Sequence, residues 1–169
     1  MRNCIIFDLD QTIADTSFLE SLRKQRNWVD VYKHLNQIKV YADIYEVIEI
    51  LRSRGFLIGV VTNSPKIYCV KVLDYLNIKV DCVVGYHCTT LKKPHPDPVL
   101  YCINEMGSDF NKIYGIGDSV NDIISYKRSN IISIGCLWGR INNDELIESK
   151  PDYIVNRPID LIEILDKIL

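Results

Sequence analysis

The chain has 169 residues, 47% of them apolar and 25% charged, with a net charge of −2. That balance supports one packed core over residues 1–169 with room for a small insertion, and it argues against a protein whose main task is neutralising nucleic-acid phosphates. No secretory leader and no apolar stretch of bilayer length are apparent, and six cysteines without a C-x-x-C pair read as reduced thiols of a cytoplasmic protein.

Cys4 to Phe7 is a short apolar run of strand character that ends in Asp8-Leu9-Asp10-Gln11-Thr12. Residues 14–40 are polar and weakly periodic, which predicts one or two short helices. Ile44, Val47, Ile48 and Leu51 then share one helical face, with Gly55 as the stop. Phe56 to Val61 predicts a strand, and Ser64-Pro65 has the form of an N-cap followed by proline at the first helical position. Cys69, Val72, Leu73 and Leu76 continue that helix. Cys82 to Val84 predicts a third strand, followed by a proline-rich loop over 89–98 and a helix to Met106, stopped by Gly107. Ile113 to Ile116 is a strand leading into Gly117-Asp118-Ser119, with a helix over about 120–129. Ile131 to Ile134 and Tyr153 to Val155 read as the last strands. Leu161, Ile162, Leu165, Ile168 and Leu169 give the final helix its apolar face. Strands and helices in alternation predict an α/β, doubly wound parallel sheet in three layers, whose ligands bind at the carboxyl ends of the strands.

Four polar clusters fall at such ends. Asp8 and Asp10, two apart after a strand, would repel unless a divalent cation faces them or one is a nucleophile and the other a proton carrier, which points to metal-assisted phosphoryl chemistry. Thr62-Asn63-Ser64 offers a hydroxyl and backbone N–H groups at a helix start, suited to phosphoryl oxygens. Lys92-Lys93-Pro94-His95-Pro96 holds a lysine stiffened by prolines. Gly117-Asp118-Ser119-Val120-Asn121-Asp122 adds carboxylates for a hard cation such as Mg²⁺.

The order and spacing of these clusters resemble the haloacid dehalogenase-like (HAD) hydrolases, in their phosphatase branch. Ala14-Asp15-Thr16, Leu137-Trp138-Gly139 and the ending Pro151-Asp152-Tyr153-Ile154-Val155 resemble phosphoglycolate-phosphatase-like members. The resemblance implies a Mg²⁺-dependent phosphatase that works through an aspartyl-phosphate. It assigns Asp8 as nucleophile and metal ligand, and Asp10 as acid, then base, with its backbone carbonyl on the metal. Thr62, Asn63 and Lys93 would bind the phosphoryl group, and Asp118 would ligate the metal. Asp122, Thr12 and Ser119 would support these groups from behind. Asp10 sets carbon–halogen cleavage aside, because the dehalogenases of the family have no acid there. Phosphomutase chemistry, a non-catalytic phosphate-binding regulatory module and a nucleic-acid end phosphatase stay open as alternatives.

Full-size relatives insert a helical cap between the first two clusters. Here only residues from about 16 to 40 are available, so a very small helical cap is expected. That segment carries Arg23, Lys24, Arg26, Lys33 and Lys39 against Glu20 and Asp30, with Trp28, Tyr32 and Tyr41 in or beside it. A solvated helix face is the commoner role for such charge. A nucleotide or nucleic-acid end is the sharper reading, and a small phosphorylated metabolite is the default substrate. His87, Cys88, His95 and Cys102 match no standard zinc spacing.

Overall fold

In the computed structural model, residues 2–107 and 109–168 are described. Leu169, expected on the apolar face of the last helix, lies outside them. The elements in chain order are β1 (Arg2–Phe7), β2 (Ala14–Asp15), α1 (Glu20–Lys24), α2 (Trp28–Lys33), β3 (Lys39–Val40), α3 (Ile44–Ser53), β4 (Leu57–Val61) and α4 (Lys66–Tyr75). There follow β5 (Cys82–Val84), α5 (Asp97–Met106), β6 (Phe110–Gly117), α6 (Val120–Arg128), β7 (Ile132–Cys136), α7 (Asp144–Glu148), β8 (Tyr153–Val155) and α8 (Asp160–Ile168).

Six strands form one sheet in the order β5-β4-β1-β6-β7-β8, every neighbouring pair parallel. The chain winds outward from β1 in one direction and then, from β6, in the other. The carboxyl ends of β1 and β6 therefore flank the point where the winding reverses, the place where such sheets leave a crevice for a ligand. Strand alternation fills both faces. Ile5 and Phe7 of β1 pack with Val47 and Leu51 of α3, Val72 of α4 and Leu165 of α8. Cys4 and Ile6 point the opposite way, toward Val99 of α5, Ile123 and Tyr126 of α6 and Leu146 of α7. This is the expected three-layer α/β architecture, and no helix among the described residues is long and apolar enough to cross a membrane.

Several boundaries differ from the expectation for identifiable reasons. β6 begins at Phe110 rather than Ile113, because pairing with β1 carries the strand into the polar residues Asn111 and Lys112. The five-residue α7 buries only Leu146 and has too short a pattern to read. Helix α4 starts at Lys66 with Pro65 as its cap and no side-chain cap bond. Ser64, expected as the N-cap, gives its hydroxyl instead to Asp10 at 2.8 Å.

The 16–40 segment leaves and re-enters the core through a two-residue antiparallel ribbon, β2 on β3, pairing Ala14 with Val40 and Asp15 with Lys39. Between these strands, α1 buries no residue and α2 buries only Val31. Leu19, Val31 and Ile38 anchor the segment on the α3/α4/α8 face, and Trp28 tilts against Tyr68 of α4 with ring centroids 5.5 Å apart.

Candidate active site

β1 ends at Phe7, and the next residues turn sharply. Ile13 and Ala14 both donate their N–H to the Leu9 carbonyl, at 3.0 and 3.1 Å, and Gln11 takes a left-handed φ of 62°. A non-glycine residue there costs on the order of 1 kcal/mol, and two contacts hold the turn in place. The Trp138 indole donates to the Thr12 carbonyl at 2.9 Å. Gly139 lies so close that a Cβ on it would meet the Gln11 carbonyl oxygen at 1.8 Å. This turn directs Asp8 and Asp10 to different surroundings.

Asp8 faces the crevice. Its Oδ1 accepts from Lys93 Nζ at 2.7 Å, and the same ammonium donates to Asp122 Oδ1 at 2.5 Å and to the Val61 carbonyl at 2.6 Å. Lys93 is thus fixed by three acceptors and only 2% exposed at its side chain. Asn63 holds the backbone of Lys93 in place through a reciprocal pair: its amide donates to the Lys93 carbonyl at 2.9 Å and its oxygen accepts from the Lys93 N–H at 3.1 Å. Asn63 was expected to contact substrate. It lines the cavity, but both ends of its amide are used on Lys93. Thr62, at the end of β4, is buried and accepts from the Ser64 N–H at 3.0 Å.

Asp118 follows β6. Its Oδ1 accepts from Thr12 Oγ1 at 3.2 Å, and its Oδ2 is paired with the Arg140 guanidinium. Asp122 sits one turn into α6, whose cap is a full capping box: Ser119 accepts from the Asp122 N–H, and the Ser119 N–H and hydroxyl both donate to Asp122 Oδ2, at 3.1 and 2.6 Å. Such a reciprocal cap satisfies two otherwise unpaired donors. It also leaves Asp122 Oδ1 for Lys93. A Cβ on Gly117 would lie 2.4 Å from Asp122 Cβ, so glycine permits this approach.

Asp8, Asp118 and Asp122 offer carboxylate oxygens within 4.8 Å of one another. Asp122, expected behind the metal, belongs to this cluster, but its two oxygens are committed to Lys93 and the cap. The Asp10 side chain, by contrast, turns away from the cluster. It accepts hydrogen bonds from Thr16 at 2.8 Å, Tyr68 at 2.9 Å and Ser64 at 2.8 Å, and the Arg23 guanidinium forms an ion pair with it at 3.0 Å.

The electrostatics follow from this crowding. Burial pushes the Asp8 carboxyl well above the usual carboxylate range; Lys93 pulls it back, while Asp122, Asp118 and Asp10 push it up further. Burial, then Asp122, raises Asp118 to about 6 against the pull of Arg140. Burial pulls the Lys93 ammonium down, but Asp122 and Asp8 outweigh it and hold Lys93 above its ordinary value. The site is therefore short of positive charge. It opens into a cavity of about 360 Å³ whose wall includes Thr62, Lys93 and Asp118 on the sheet side and Arg23, Arg26 and Trp28 on the 16–40 side.

Two side chains at the site had weak sequence signals. Arg23 stood in a basic run that resembled a solvated face, and Lys24 and Lys33 do lie exposed there, paired with Glu20 and Asp30. Arg23 instead turns inward to Asp10. Arg140, next to Leu137-Trp138-Gly139, could border the site on sequence grounds with its role left open, and it pairs with Asp118.

Comparison with known proteins identifies the family. Residues 18–136 match the haloacid dehalogenase-like hydrolase family, and the chain belongs to that family. It is 35% identical over 130 residues to a phosphoglycolate phosphatase of Aquifex aeolicus, an alignment covering 76% of this chain and 60% of that protein. It is 27% identical over 163 residues to the pyrophosphatase PpaX of Oceanobacillus iheyensis, covering 93% of this chain and 72% of that protein. A crystal structure of a predicted phosphoglycolate phosphatase from Haemophilus somnus superposes with a TM-score of 0.81 at 21% identity, covering 97% of this chain and 98% of that one; at that identity the likeness is one of fold. The chain spans about 60% of the length of the first of these curated relatives.

Proposed function

We propose that this chain is a Mg²⁺-dependent phosphatase that hydrolyses a small phosphomonoester through a phosphorylated Asp8. The observation that carries the reading is the contact of a buried carboxylate, Asp8, with a buried ammonium, Lys93, at the bottom of an open cavity. A dianionic phosphate cannot approach a carboxylate nucleophile unless cations neutralise both. Lys93 supplies one such charge, and the raised Asp8 and Asp118 carboxyls call for another.

The donor set fits Mg²⁺, which favours hard carboxylate oxygens. Asp8 and Asp118 would hold it, with the Asp10 backbone carbonyl as a further ligand. When bound, the ion supplies positive charge to the phosphoryl oxygens and keeps the Asp8 carboxylate ionised. Asp8 attacks phosphorus as the bond to the ester oxygen breaks, and Asp10 gives that oxygen its proton. Asp10 then takes a proton from the water that cleaves the acyl phosphate. Lys93 and the Thr62 hydroxyl, whose oxygen accepts from Ser64 and whose proton remains to donate, hold the phosphoryl oxygens through both steps. Asp122 orients Lys93. Residues 16–40 act as a miniature cap over the cavity. The relatives' names point to phosphoglycolate and pyrophosphate, and a small phosphorylated metabolite is the substrate proposed here.

The test is release of inorganic phosphate from a panel of phosphorylated metabolites with and without Mg²⁺. Steady turnover that needs the ion supports the reading; absence of turnover across the panel overturns it. The metal assignment has a separate readout. At about a hundred times its dissociation constant, a bound ion stabilises by about 2.7 kcal/mol, which raises the melting temperature of a chain this size by roughly 5–10 °C. Asp118→Asn should abolish that rise.

A further inference from the structure

Four of the six cysteines are buried, and Cys82 and Cys88 are partly exposed. None of them lines the cavity. Cys4 of β1, Cys82 of β5 and Cys102 of α5 share the apolar cluster that packs α5 on the sheet.

The sheet register sets the geometry. Gly59 of β4 is the direct partner of Cys82 on β5 and of Ile6 on β1. Partners in a parallel pair point to the same face, and neighbouring strands lie about 4.8 Å apart. The three positions therefore form a row beneath α5, with the bare Gly59 in the middle. Cys102 fills that gap from above, since a Cβ on Gly59 would meet its sulfur at 2.6 Å. The missing side chain lets a helix sulfur reach the floor of the sheet, one strand away from Cys82. The two thiols are hydrogen-bonded there.

They are not equivalent. β5 is an edge strand and Cys82 is half-buried, whereas Cys102 is fully buried. The hydrogen bond from Cys102 lowers the Cys82 thiol, with help from Lys66 and against burial, Glu105 and Asp81. The same bond, then burial, raises Cys102. Cys82 is the thiol that meets solvent and ionises first, and Cys102 is a protonated partner beside it.

We propose that Cys82 and Cys102 are a redox modification site that closes to a disulfide under hydrogen peroxide. The Cys82 thiolate attacks one peroxide oxygen and breaks the O–O bond. The other oxygen leaves as hydroxide and takes up the Cys82 proton to become water, while Cys82 becomes a sulfenic acid. The Cys102 sulfur then attacks the Cys82 sulfur and breaks its S–O bond. Hydroxide leaves with the Cys102 proton as a second water. Each thiol gives up one electron and one proton, and the peroxide takes both electrons. In a reducing compartment such a bond is transient.

The bond bears on the site. Residues 83–101 lie between the two cysteines and include Lys93. The disulfide closes that segment at its base, across β5 and α5. Closing a loop of about twenty residues restricts the unfolded chain, which raises the melting temperature by roughly 5–10 °C at this length.

The experiment treats the full chain with stoichiometric hydrogen peroxide, alkylates the remaining thiols and maps the peptides by mass. Expected in the parent is a loss of about 2 Da, a peptide linking Cys82 to Cys102, alkylation of the other four cysteines, and the rise in melting temperature given above. A reducing thiol should reverse the bond and the rise. Cys82→Ser, at a half-buried position, and Cys102→Ala should each fold, and neither should show the linked peptide or the rise. These readouts are independent of turnover, so failure of the phosphatase reading would leave them unchanged. A bridge to Cys4 or Cys88, oxygen added to Cys82 without a bridge, no reaction, or a linked chain that melts no higher than the reduced one would overturn the proposal.

Discussion

Asp8→Asn should lower phosphate release by more than about 1,000-fold while leaving the chain folded. The amide keeps the size and one acceptor of the carboxylate but is a very poor nucleophile, and losing a covalent nucleophile costs rates of that order or more. Stability should hold or rise. Asp8 is buried, and its carboxyl is lifted well above the ordinary range by burial and by Asp122, Asp118 and Asp10. Replacing it with a neutral group removes a charge the fold tolerates only because Lys93 is there. Activity and thermal melting measured on the same preparation check both halves. A variant that turned over like the parent would remove Asp8 from the chemistry.

Lys93→Met should have the largest structural effect of any single change at the site. Lys93 lies between Asp8 and Asp122 with its side chain 2% exposed. Removing one partner from a buried charge cluster costs about 3–5 kcal/mol, because the remaining carboxylates stay buried and uncompensated. For a chain of this length that is a fall of roughly 6–20 °C in melting temperature. Activity should also be lost, since Lys93 is the protein's own charge on the phosphoryl group.

The defect should depend on pH, with a definite sign. Without Lys93, Asp8 loses the one neighbour that holds its carboxyl down, so its folded pKa moves further above the unfolded 3.8. A carboxyl raised in the folded state contributes stability below its unfolded value and loses it as pH rises through the folded one. Lys93→Met should therefore lie nearest the parent toward pH 4 and fall progressively further behind as pH rises to 8. Melting curves across that range check it; a constant gap would mean the lysine acts by packing alone. Joining Asp122→Asn to Lys93→Met should recover part of the loss.

The strand ends were the legible part of this protein. Asp8, Thr62 and Asp118 each follow a short apolar run, and a parallel sheet brings such ends together whatever lies between them. Lys93 alone reads as a surface lysine and was legible only through its order in the chain among the other clusters. Contacts set by the path of the 16–40 segment were not. α1 buries nothing, so its sequence carries no periodicity to show which way Arg23 points. Ribbon β2–β3 has two residues per strand, too few for alternation. Ser64 had the signature of an N-cap, and the buried carboxylate of Asp10 competed successfully for its hydroxyl. Local rules failed where a tertiary partner with a stronger claim was close by, and both cases involve the same aspartate.

The central claim is that Asp8 carries the phosphoryl group between substrate and water. Asp10→Asn tests it most directly with an aryl phosphate whose phenol is acidic enough to leave without a proton donor. Formation of the acyl phosphate then proceeds, and its hydrolysis, which needs Asp10 as base, does not. The account predicts a burst of phenol stoichiometric with the chain, little further release, and one phosphoryl group on Asp8 in the acid-quenched peptide. Steady release of phenol and phosphate together, with Asp8 unmodified, would contradict it.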